Sequence, residues 1–205
     1  WRQTGEVIRA DRRAGECIND ANGDEWLQSP FVIEVDGTWY MFYGGHGTGE
    51  TAHGHRAWAP IGHTNPAMDA QMCLMTSTDG RRWQRKLNAK GQSRLFLGPG
   101  QTRDPCVIRI GGLWYLYYAG FHASNPEKAG FYVRTSSDLL QWSEYKIVHY
   151  DMTGRFGEGN WDCECPHVVH RDGYYFLFRT ENYAESKVHV FRSEDPTDFG
   201  IGNAR

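Results

Sequence analysis

The sequence predicts an all-β protein built from repeated four-stranded blades, the unit of a β-propeller. Three observations predict it. One pattern recurs three times along the 205 residues with the same internal offsets. Each copy joins a β-branched run to an aromatic run through an Asp-Gly or Gly-Gly turn, a strong hairpin signal. Almost no segment carries the 3.6-residue period of a helix.

The first copy is Ser29-Pro30-Phe31-Val32-Ile33, the turn Asp36-Gly37, then Trp39-Tyr40-Met41-Phe42-Tyr43-Gly44. The second is Asp104-Pro105-Cys106-Val107-Ile108, Gly111-Gly112, then Trp114-Tyr115-Leu116-Tyr117-Tyr118-Ala119. The third is Cys165-Pro166-His167-Val168-Val169, Asp172-Gly173, then Tyr174-Tyr175-Phe176-Leu177-Phe178. A third strand follows each hairpin, as in Met72-Cys73-Leu74-Met75-Thr76 and Phe131-Tyr132-Val133-Arg134-Thr135. It ends at Ser77-Thr78-Asp79, Ser136-Ser137-Asp138 or Ser193-Glu194-Asp195, and an aromatic residue (Trp83, Trp142, Phe199) stands four places after the Asp. That aromatic is expected to open a fourth, outermost strand. Four antiparallel strands per repeat make a propeller blade, and the fixed offsets favour this over a β-sandwich of the same strands.

The predicted blades span approximately 29–87, 103–149 and 163–200 of a single domain covering 1–205. The wide spacing puts the surplus residues in loops at 45–70, 88–102 and 150–162, where a rigid scaffold usually carries its binding residues. Three blades do not close a ring, so partner blades are expected from later sequence, another chain or an oligomer. Residues 1–28 have room for one closing strand but not for two blades. Trp1 stands where an initiator Met would, and no charged-then-apolar leader follows, which predicts a mature or excised product and leaves cytoplasmic and secreted locations open.

Composition narrows the function. Twenty-two basic against 25 acidic residues give a net charge of −3, which offers no electrostatic footprint for nucleic acid or an anionic membrane. No apolar run approaches the roughly 18 residues of a membrane-spanning helix. Trp, Tyr and Phe make up 14% of the chain, and such rings suit both sheet cores and the flat faces of sugars. Trp39, Trp83, Trp114 and Trp142 repeat with the blades and are expected to pack between them. Trp26, Trp58, Phe121 and Trp161 fall near the loops and strand starts that would rim a central funnel. The five cysteines are an odd number without a framework spacing, so reduced thiols are expected. Cys163 and Cys165 alternate along a strand and would share a face.

Two short motifs sit at the start of innermost strands. Thr102-Arg103-Asp104-Pro105 contains Arg-Asp-Pro, and Trp161-Asp162-Cys163-Glu164-Cys165-Pro166 contains Glu-Cys-Pro. With the blade repeat, they resemble the five-bladed β-propeller glycoside hydrolases, families 32 and 43 and their relatives, over roughly residues 17–200. The resemblance implies acids on the innermost strands of successive blades, pointing into a shared funnel. It implies Glu164 as the acid/base. Asp104 would fix the sugar ring, stabilise positive charge in the transition state or tune Glu164.

The chemistry asks for the same residue types. Glycosidic cleavage needs a carboxylic acid to protonate the leaving oxygen, and a carboxylate to attack or to activate water. Burial beside other carboxylates keeps such an acid protonated. The third carboxylate is the departure from the family pattern. At the register position of the first-blade Asp this chain has Ser29. Ile18-Asn19-Asp20-Ala21-Asn22-Gly23 resembles the Asn-Asp-Pro-Asn-Gly segment of family 32 with Ala21 in place of Pro, which makes Asp20 the first choice for nucleophile or base. The same residues also read as an ordinary polar turn. Asp24, Glu25 and Asp162 are further acids near the strand starts.

Ser29, Arg103, Trp26, Trp161, His167 and Asp162 are the expected sugar contacts, with His167 readable either as a funnel residue or as a core histidine. His46, His53, His55 and His63 cluster in the first long loop, and His53-Gly54-His55 lacks a third ligand at a metal-site spacing. No cofactor is expected. A structural calcium of the kind some relatives carry has no identifiable ligands here. The expected partner is a carbohydrate. A non-catalytic carbohydrate-binding propeller is the alternative, motivated by Ser29.

Overall fold

A computed structural model describes residues 5–16, 18–19, 24–25, 27–47, 69–96, 102–122, 125–150, 164–181 and 187–201. A 3-10 turn at Arg12–Ala14 leads into β1 (Ile18–Asn19), which pairs antiparallel with β2 (Asp24–Glu25). The first blade comprises β3 (Leu27–Val35), β4 (Thr38–Gly47), β5 (Asp69–Ser77), β6 (Gln84–Arg85) and β7 (Arg94–Phe96). β6 and β7 both pair with β5, as two pieces of one interrupted outer strand. The second blade is β8 (Arg103–Ile110), β9 (Leu113–His122), β10 (Asn125–Ser136) and β11 (Lys146–His149). The third is β12 (Glu164–Arg171), β13 (Tyr174–Glu181) and β14 (Lys187–Ser193).

All neighbouring strands in the blades run antiparallel, and the repeat seen in sequence is a repeat of register. Phe31 faces Phe42, Cys106 faces Tyr117 and His167 faces Phe178. The tight turns keep that register. Asp36-Gly37, Gly111-Gly112 and Asp172-Gly173 all have positive φ at both residues, the conformation that matches the strand twist of a two-residue hairpin. The Ser-x-Asp elements are turn staples. Ser77 Oγ accepts the backbone N–H of Asp79 and Gly80, and Asp79 Oδ1 accepts those of Arg81 and Arg82. Ser136 and Asp138 repeat these contacts in the second blade. In the third, Asp195 N donates to Ser193 and Thr197 N to Asp195. These short side chains compete for backbone donors and so stop the strand where it must turn.

Alternation along each strand sends one set of side chains to each neighbouring blade. Phe42, Met72, Leu74, Val107, Leu116, Tyr118 and Tyr132 fill the space between the first and second blades. Cys106, Tyr117, Phe131, Val148, Val168, Leu177 and Phe191 fill the space between the second and third. Leu177 is fully buried there. Leu177→Ala should cost about 2–5 kcal/mol, as transfer and cavity terms add; urea unfolding measures this, and a cost below about 1 kcal/mol would mean that the interface is not packed as described.

Three sequence expectations are corrected. The stretch at 88–102, expected as loop, holds a strand: Arg94–Phe96 pairs with β5, and Leu95 and Phe96 find apolar cover in the first interface. The third blade has three strands among the described residues, not four. Beyond its Ser-x-Asp turn the chain returns to the second blade: Phe199 N donates to Val148 O at 2.8 Å, Ile201 bridges Tyr150, and the Phe199 ring packs edge-on against Tyr117. Trp39 is 38% exposed rather than sandwiched, whereas Trp142 does pack edge-on against Phe42 at 5.8 Å.

Residues 5–16 form a strap over the outer face of the first blade. Ile8 packs against the cluster of Met41, Tyr43, Cys73 and Met75. Glu16 is fully buried and accepts from Tyr43 Oη (2.6 Å), Arg85 Nε (3.0 Å), Arg85 Nη2 (2.7 Å) and the backbone N of Asp11 (2.9 Å). A buried carboxylate persists only when its lone pairs are satisfied in this way. Glu16→Ala should therefore destabilise the chain by about 3–5 kcal/mol, because Arg85 and Tyr43 lose a buried partner. Thermal unfolding checks this; an unchanged Tm would refute the latch.

Candidate active site

Each innermost strand carries a bulge at the same place. The ladder slips between Gln28 and Phe31 on β3, Arg103 and Cys106 on β8, and Glu164 and His167 on β12. The residue at each slip is Ser29, Asp104 or Cys165, with φ of 52°, 57° and 54°. A left-handed backbone is unfavourable for any side-chain-bearing residue, and a following proline ordinarily steers its predecessor towards extended geometry. Three such residues in register are a stored strain of order 1–3 kcal/mol apiece. The prolines explain why the bulge falls there. Pro30, Pro105 and Pro166 have no N–H to lose from the ladder.

The strain gathers the three blades' side chains. Ser29 Oγ donates to Asp104 Oδ1 at 2.5 Å, and Cys165 N donates to Asp104 Oδ2 at 3.0 Å. Asp104 thus links residues 75 places before it and 61 places after it. One step earlier on each strand stand Gln28, Arg103 and Glu164. Arg103 Nη2 donates to Glu164 Oε1 at 2.8 Å, and Arg103 Nε lies 3.7 Å from Asp104 Oδ2. All three charged side chains are nearly buried, at 4%, 9% and 8% exposure for Arg103, Asp104 and Glu164. Opposite the bulges, the second strands offer Gly44, Ala119 and Thr180, small residues that leave room at the axis. A Cβ on Gly44 would come within 3.2 Å of Gln28 Cγ and 3.5 Å of Arg103 Cβ.

Burial holds the carboxyl of Glu164 above the ordinary glutamate range, against the opposing pull of Arg103, and the charge of Asp104 adds to the rise. Asp104 accepts two hydrogen bonds, from Ser29 Oγ and Cys165 N. The Cys165 thiol is pushed up to about 11 by partial burial first, then by the charges of Asp104 and Glu164. Cys73, Cys106 and Cys165 are free thiols.

Of the residues singled out in sequence, Glu164, Asp104, Arg103 and Ser29 meet in one place. Arg103, an expected sugar contact, bonds through its guanidinium to Glu164 and lies near Asp104. Ser29 was likewise expected to touch sugar, and its hydroxyl is engaged with Asp104. His167 is exposed, not in the core, with its ring against Phe178 and Nδ1 3.8 Å from the Cys106 sulfur. Asp20 lies outside the described residues, as do Trp26, Trp161, Asp162, Cys163 and the loop histidines 53, 55 and 63. Among the described residues no group of three His, Cys, Asp or Glu is placed to hold a metal. Gln28 and Cys165 were missed as site residues. The signal was present: both hold fixed offsets from the recurring proline.

Solved structures with this arrangement of sheets decide the fold. A thermostable family-43 glycoside hydrolase superposes with a TM-score of 0.59 at 18% identity, over 86% of this chain and 54% of that one. An α-L-arabinofuranosidase from Lactobacillus brevis gives 0.59 at 15% identity, over 93% and 55%. A family 117 glycoside hydrolase from the marine bacterium Zobellia galactanivorans gives 0.59 at 16%, over 94% and 57%. The fold is that of the propeller glycoside hydrolases. The chain spans about half the length of these propeller enzymes. No protein-family model and no curated protein matches the sequence. Within the propeller glycoside hydrolase fold, the three bulges lie on the innermost strand of each blade.

Proposed function

We propose that the chain belongs to a glycoside hydrolase that cleaves a terminal glycosidic bond, on a furanoside such as a fructoside or arabinoside, by carboxylate chemistry at the propeller axis. One observation carries the reading: Glu164, buried and held towards its protonated form, shares Arg103 with Asp104 on the adjacent blade's bulge. Glu164 donates its proton to the leaving oxygen as the bond to the anomeric carbon breaks. Asp104, held by Ser29 Oγ and Cys165 N, faces the positive charge that develops on the sugar. Water then adds to the anomeric carbon and gives its proton to a base, the role assigned to Asp20. Trp26 and Trp161 stack on the sugar, and Asp162 and His167 line its approach.

Further blades, from later sequence, another chain or an oligomer, complete the ring. Val32 and Trp39 on one end face, and Val188 and Val190 on the other, are exposed apolar residues suited to that packing.

Ser29 supports a second reading, a carbohydrate-binding propeller without catalysis, because a serine hydroxyl replaces the first-blade carboxylate. A panel of aryl furanosides and pyranosides separates the two. Turnover that depends on Glu164 supports the hydrolase; saturable sugar binding without turnover supports the binding module.

A further inference from the structure

We propose that Gln28 is a specificity-determining residue, whose carboxamide binds hydroxyls of a neutral sugar beside Glu164. The proposal rests on the sugar-directed reading of the site and names a contact within it. Gln28 occupies on β3 the place that Arg103 and Glu164 occupy on β8 and β12, one residue before the left-handed bulge. Its stem lies along Gly44 beside that of Arg103: a methyl group on Gly44 would crowd Gln28 Cγ at 3.2 Å and meet Arg103 Cβ at an ordinary 3.5 Å. Its neighbours are already committed: Ser29 to Asp104, and Arg103 to both carboxylates. Gln28 is half-buried, and among the described residues its amide makes no hydrogen bond. An amide offers one acceptor and two donors, which matches a pair of sugar hydroxyls. The guanidinium in the cluster around it is already shared by two acids, so a neutral sugar is favoured over a uronate, whose carboxylate would need a cation of its own.

A site built to bond a hydroxyl rejects the analogue that lacks it, because its polar group is left unpaired. Gln28→Met keeps the length of the stem over Gly44 and removes the hydrogen bonds. The measurements are hydrolysis of 4-nitrophenyl α-L-arabinofuranoside, sucrose and their monodeoxy analogues, with sugar binding to the Glu164→Gln chain by calorimetry and the corresponding uronates as controls. Gln28→Met should lower kcat/KM, or affinity where only binding is seen, by about 10–100-fold on the parent sugar and under about 3-fold on one deoxy analogue. Gln28→Ala provides the same readout if the methionine variant does not fold. Equal behaviour of wild type and both variants on every sugar overturns the proposal and leaves the hydrolase reading intact. Absent hydrolysis with Gln28-dependent binding overturns the hydrolase and leaves the proposal standing. Failure to bind or cleave any of these sugars, or tighter binding of the uronates, overturns the proposal.

Discussion

Glu164→Gln is expected to lower kcat by about 10²–10⁴-fold, the usual contribution of a general acid, with little change in Tm. Glutamine fills the same volume and can still accept from Arg103, so the structural cost is small. What it cannot do is deliver a proton. The pH profile gives a second readout. Burial raises the Glu164 carboxyl, so the protonated acid persists above the ordinary glutamate range and is lost as pH rises through the raised value. Wild-type kcat/KM should fall along that basic limb, and the variant should lack it. For stability the sign is the same: the raised pKa favours the folded state at low pH, and this contribution fades as pH rises through the folded value. A variant with wild-type turnover would remove Glu164 from the acid role.

Arg103→Met should produce the largest loss of stability in the cluster. The guanidinium bonds to Glu164 and lies near Asp104, and all three side chains are almost fully buried. Removing the cation leaves two acids out of water without the partner they share, and breaking a buried pair costs about 3–5 kcal/mol. The second consequence separates positioning from simple support. Arg103 pulls the Glu164 carboxyl down by its charge and its hydrogen bond. Without it, the basic limb of kcat/KM should move to higher pH. Arg103→Lys retains the charge but not the forked geometry, and should restore part of the stability with a smaller displacement of the limb. An unmoved limb in both variants would show that Arg103 does not act on the acid.

The blades were legible because their signals are local. Asp36-Gly37 dictates a turn, Ser77 and Asp79 staple the next one, and alternation assigns Leu116 and Tyr117 to opposite interfaces. Asp104 and Glu164 were legible because Arg-Asp-Pro and Glu-Cys-Pro stand at equivalent strand starts. The bulge itself was less so. A residue before proline reads as extended, and only the ladder slip turns Ser29, Asp104 and Cys165 left-handed and brings Gln28 level with Arg103 and Glu164. The strap was invisible because Glu16 meets Arg85 across 69 positions with no periodic pattern between them. Among the described residues the third blade has three strands, and Phe199 is buried with its ring edge-on to Tyr117 of the second blade.

A crystal structure of the Glu164→Gln chain soaked with arabinose or fructose tests the central claim most directly. The account predicts one sugar ring bounded by Asp104, residue 164 and Gln28, with Ser29, Asp104 and Cys165 still left-handed at their prolines. A sugar bound elsewhere, or Asp104 and residue 164 separated onto different surfaces, would contradict it.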